Sequence, residues 1–135
     1  MTDSANKQVA RAFIDALSRG DVDAMAQVIT DDIVADAKGT SVVSMKRDHA
    51  AVLEAVAGIR ASTKDGIAFT IVALTEDEDR VVCEVQGASE LVTGQPYNND
   101  YAFVFTLRDG KICGIREYFD TKLAEETMGP LLAAE

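Results

Sequence analysis

The chain predicts an α+β fold, with helices first and antiparallel strands second. Two observations carry this. Apolar residues recur at helical spacing through the first half. The second half alternates over long runs, separated by hairpin turn sequences. At 135 residues and 47% hydrophobic, residues 1–135 suit a single domain that buries about 68% of its unfolded surface.

In a first helix, Val9, Ala12, Phe13, Ala16 and Leu17 form an apolar stripe. Asp3 or Ser4 caps its start, and Gly20 closes it. Asp21 caps a second, short helix carrying Ala24, Met25, Val28 and Ile29, which Thr30-Asp31-Asp32 stops. A short strand follows from about Ile33 to Ala37, then a loop at Gly39. A third helix from about Asp48 to Ile59 turns Ala51, Val52, Ala55 and Val56 inward. Strands are predicted near 67–75, 80–93, 100–108 and 111–119. The acidic run 76–79, Gly94-Gln95-Pro96 and Arg108-Asp109-Gly110 supply three turns, which makes an antiparallel meander with helices on one face. Residues 121–135 predict a short helix broken by Gly129-Pro130.

The net charge of −10 argues against nucleic acid and against anionic membrane surfaces, since both need clustered Lys and Arg. It favours neutral or cationic ligands. Cys83 and Cys113 lie in apolar strand patterns without metal-type spacing, so they predict buried thiols in a reducing cytoplasm. No run is long and apolar enough for a membrane span, and MTDSANKQ lacks a signal-peptide apolar region. Neither a metal cluster nor a phosphate-cradling loop is present, so the expectation is chemistry without a cofactor.

The ending DGKICGIREYFDT concentrates ionisable groups on one strand. Glu117 shares alternation parity with Cys113, Ile115 and Phe119, a set predicted to face inward. A glutamate there has either a raised pKa or a partner, and a structural link to a buried Arg or Tyr is the alternative to a pocket role. Gly114, Arg116 and Tyr118 take the other face, a candidate dimer interface. Tyr97, Asn98, Asn99, Asp100 and Tyr101 form a polar-aromatic cluster that suits a cavity mouth, although turn chemistry explains it as well. His49, the only histidine, sits among Lys46, Arg47 and Asp48 as a solvated group.

The order of elements, the GDVDAMAQVITDD turn-helix-strand and the GKI…REYFD ending resemble the nuclear transport factor two-like superfamily. Within it, the chain is most similar to the SnoaL-like polyketide cyclase and ketosteroid isomerase branch. The resemblance implies a cone-shaped half-barrel: a curved antiparallel sheet wrapped around helices and enclosing an apolar pocket. It also implies a small hydrophobic ligand and a homodimer. By its D-x-x-G context, Asp36 resembles the isomerase general base; the alternative is a surface aspartate. Phe13 stands where the isomerase has a donor tyrosine, and Tyr101 or Phe103 where it has a protonated acid, which disfavours a true ketosteroid isomerase. Against limonene epoxide hydrolase, Glu117 matches one acid, but Val85 and Gly87 replace the polar partners. Asp120 matches the general acid/base of SnoaL-like cyclases, and N-cap of the last helix is its alternative. The resemblance thus makes Asp120, Glu117 and Asp36 the candidate catalytic residues. Tyr101, Phe13, Tyr118 and Asn99 are the candidate substrate-binding residues. Cyclisation, isomerisation or dehydration is the implied activity, and a non-catalytic binding module is the alternative.

Overall fold

The structure is a computed structural model that describes residues 2–133, and the side chains of residues 2–130. Helix α1 (Ala5–Arg19) starts at Ser4, whose side chain accepts from the Lys7 N–H at 3.1 Å. It ends at Gly20, whose φ of 63° lets the chain return hydrogen bonds to Ala16 and Leu17. Asp21 caps α2 (Val22–Val28) by accepting from the Ala24 N–H at 3.0 Å. Strand β1 (Ile29–Ala37) begins earlier than the sequence predicts. Ile29 is a buried strand residue rather than the end of a helix, and Thr30-Asp31-Asp32 continue the strand instead of stopping. A two-residue strand β2 (Lys46–Arg47), absent from the prediction, leads to Asp48, the cap of α3 (His49–Ser62).

The second half is the predicted meander: β3 (Ala68–Asp77), β4 (Arg80–Glu90), β5 (Pro96–Arg108) and β6 (Lys111–Phe119). Asp109 and Gly110 both take positive φ, 53° and 80°, as a two-residue hairpin turn with the right twist requires. β5 starts at Pro96, well before residue 100, and β4 stops at Glu90. The six strands form one curved, open sheet ordered β2–β1–β6–β5–β4–β3. It is antiparallel except where β1 lies parallel to β6. This departs from an all-antiparallel sheet: the chain leaves β1 through β2 and α3, enters the far edge at β3, and the meander returns to set β6 parallel to β1.

Helix α4 (Thr121–Ala133) carries Pro130 inside it, so the expected break at Gly129-Pro130 does not occur. Proline removes one hydrogen-bond donor, and near a helix end that loss is small.

The concave face of the sheet packs on α1 and α3. Phe13 meets Phe105 and Phe103 edge-on, with ring centroids 4.9 and 5.9 Å apart. A β-bulge at Cys113 resets the alternation of β6. Ile112, not Cys113, therefore joins Ile115 in the core; Cys113 is only half-buried, whereas Cys83 is fully buried. A second apolar cluster holds α4 through Ala124, Leu123 and Met128 against Leu91, Tyr97 and Phe119.

Candidate active site

Strand register decides which side chains meet. Residues directly paired across strands share a face. Arg47 pairs with Ala35, and Ala35 with Ile115. Ala37 pairs with Glu117, and Glu117 with Phe103. Phe119 pairs with Tyr101, and Tyr101 with Val85. These rows lie on the concave face, and between them and the helices is a cavity of about 280 Å³. Phe13, Leu17, Val52, Val56, Phe69, Tyr97, Phe103, Met45 and Met128 are also part of its wall. The lining is mostly apolar, with Glu117, Arg47, Tyr97 and Tyr101 as its ionisable groups.

Among the described residues Glu117 is the one carboxyl in that wall. Burial pushes its pKa up to about 7, and the Arg47 charge opposes the shift without cancelling it. Among the described residues neither group enters an ion pair. Burial also raises the Tyr101 hydroxyl far above its usual range, and the nearby Tyr97 hydroxyl and Glu117 carboxylate raise it further. Tyr101 therefore stays a neutral hydrogen-bond donor beside a carboxyl poised to exchange a proton. Tyr101 also stacks with Phe103, centroids 5.6 Å apart, which fixes its ring.

The structure brings Glu117, Tyr101 and Phe13 together in the pocket. It places the other four candidates outside the wall. Asp36 alternates with Ala35 and Ala37 and so lies on the convex face, paired across strands with Lys46 and Arg116 and 3.2 Å from the Lys38 ammonium. Asp120 is exposed and caps α4, its Oδ1 accepting from the Leu123 N–H at 3.1 Å. Asn99 is buried as a clamp: its amide donates to the Tyr97 hydroxyl at 2.9 Å and to the Asp120 carbonyl at 3.1 Å. Tyr118 is 45% exposed on the convex face. His49 is half-buried, 3.9 Å from Asp31 and away from the cavity. Cys83 is inert: burial raises its thiol to about 11.

Arg47 is the polar group that sequence reasoning missed. Its strand has two residues, too few for any periodicity to show. The available signal was a basic pair immediately before the helix cap Asp48. Among the described residues no group of side chains could hold a metal ion, and no helix is long and apolar enough to cross a membrane.

A family model described as a SnoaL-like domain matches residues 10–115. No curated protein matches the chain. Solved structures do. PrhC from Penicillium brasilianum NBRC 6234 superposes with a TM-score of 0.83 at 19% identity, over 96% of this chain and 89% of that one. An NTF2-like protein from Burkholderia xenovorans LB400 gives 0.71 at 25% identity, over 94% and 98%. An LEH-like epoxide hydrolase from M. tuberculosis gives 0.72 at 20% identity, over 97% of both chains.

Proposed function

The chain belongs to the SnoaL-like domain family, and from that premise we propose that it performs cofactor-independent acid/base chemistry on a small hydrophobic molecule. The fold includes isomerases, cyclases and epoxide hydrolases, so the pocket must carry the choice. One observation carries it: a single carboxyl, Glu117, stands in an apolar wall with its pKa pushed up to about 7. A base whose pKa lies near working pH combines a usable ionised fraction with real basicity.

In the proposed reaction, the Glu117 carboxylate takes a proton from carbon next to a carbonyl. Tyr101 donates a hydrogen bond to the oxygen that gains charge. Glu117 then returns the proton elsewhere on the substrate, giving isomerisation, a polyketide-type cyclisation, or loss of water as in a lyase. The apolar wall folds the substrate into reactive geometry. Asp36 and Asp120 have no part in this, since they lie outside the wall. The two free thiols favour a cytoplasmic setting.

A second copy of the chain is the proposed partner for the convex sheet face. Val34 and Tyr118 are exposed there, and the Lys46–Asp36–Arg116 row carries both charges a self-pairing face needs.

Nitrobenzisoxazole tests the catalytic proposal directly. A base removes its ring C–H proton, the N–O bond breaks, and the oxygen leaves as a coloured phenolate with a nitrile formed behind it. The wild type should open it at a rate that rises through about pH 7, following Glu117 ionisation. Glu117→Gln should abolish the reaction while leaving the fold intact. No ring opening by the wild type above the buffer rate would move the chain to the alternative, a non-catalytic ligand-binding module, and ring opening that survives Glu117→Gln would exclude Glu117 as the base.

A further inference from the structure

Among the described residues, Arg47 is the one Lys or Arg that lines the cavity. Lys38, Arg108, Lys64, Arg11 and Arg19 each pair with a carboxylate. Arg47 enters no ion pair among the described residues, yet it is half-buried and lines the cavity. Its direction is set by the backbone. Arg47 pairs with Ala35 and so shares the concave face, whereas its neighbour Lys46 pairs with Asp36 on the convex one. Ala35 is small, which leaves room above it for the guanidinium to reach inward. Glu117, half-buried in the same wall, senses the Arg47 charge.

A guanidinium has five donors and no acceptor, and cannot discharge by losing a proton. In a mostly apolar cavity it calls for an acceptor. Among the described residues Glu117 is the only carboxyl lining the cavity, and it spends much of its time protonated near neutrality. Resting on the proposal that this pocket is the reaction site, we infer that its ligand is an amphiphilic oxyanion, an apolar body with a carboxylate or acidic enolate oxygen held by Arg47. A planar fork suits such an oxygen pair better than an ammonium would. A cavity near 280 Å³ sits at the lower edge of the small-molecule range, about 300–1,000 Å³, so the apolar body is smaller than drug-sized. The net charge of −10 does not oppose this. Exposed charges are screened beyond about 8 Å at physiological salt, so they slow an anion's approach more than they weaken its hold inside the pocket.

Three probes of one shape separate the possibilities: naphthoate, naphthamide and naphthylmethylammonium. Binding is measured by calorimetry at about pH 6, below the Glu117 titration. Naphthoate should bind at least about tenfold tighter than naphthamide, and the ammonium weakest. Arg47→Gln should remove that gap while naphthamide still binds, which also shows that the pocket still folds. Arg47→Lys should retain part of the gap. Equal affinity for naphthoate and naphthamide, a preference for the ammonium, or no binding of any probe at millimolar concentration would each overturn the inference. The catalytic proposal fails separately: loss of Glu117-dependent ring opening with the naphthoate preference intact sinks only that one.

Discussion

Glu117 is an acid whose proton is held more tightly in the folded chain than in the unfolded one, about 7 against 4.5. Between those values the folded state binds more protons, so stability falls as pH rises through that window and levels off above about 7. The full loss is about 3 kcal/mol by order of magnitude. Glu117→Gln should therefore melt higher than the wild type at alkaline pH, with the gap shrinking toward pH 4.5, as thermal scans across pH would show. Removing the Arg47 charge withdraws the one influence that lowers the Glu117 pKa, so Arg47→Gln should move the ring-opening profile to higher pH. Tyr101→Phe should slow ring opening by at least about tenfold through loss of a preorganised donor, whereas Asp36→Asn should leave the rate unchanged. Alternation parity along REYF placed Glu117 inward from sequence alone. At Asp36 the same rule outweighs motif context. Its D-x-x-G context suggested a base, but alternation with Ile33, Ala35 and Ala37 sets it on the opposite face.

At the scale of elements, caps and turns were legible because single residues determine them. Ser4, Asp21 and Asp109-Gly110 do the work their chemistry predicts. Strand β2 and the Cys113 bulge were not legible. Each depends on pairing with a distant strand, and local sequence carries no trace of that partner. One connection is exacting. Gly66 holds a φ of 76°, and a Cβ there would stand 2.2 Å from the Ser18 carbonyl oxygen. That carbonyl also accepts from the Ile67 N–H at 3.0 Å, which ties the end of α1 to the start of β3. Because the clash is with backbone, Gly66→Ala should cost at least about 2 kcal/mol in urea unfolding.

At the scale of the molecule, element order alone predicted the α+β class, but not the sheet order, since the joining of β1 to β6 is a matter of topology. If the convex face closes on a second copy, sedimentation velocity should show a dimer, and Tyr118→Glu should shift it toward monomer by placing a charge among Val34 and its neighbours. The parallel β1–β6 pair has a kinetic consequence as well. During synthesis, β1 emerges early and has no strand to pair with except the short β2 until β6 leaves the ribosome. Closing so long a loop is entropically costly and slow compared with forming the neighbouring hairpins. The meander can therefore form first, and the wall that joins Ala35 and Ala37 to Ile115 and Glu117 is the last part of the pocket to assemble. Substitutions along that seam should accelerate unfolding while barely altering the refolding rate.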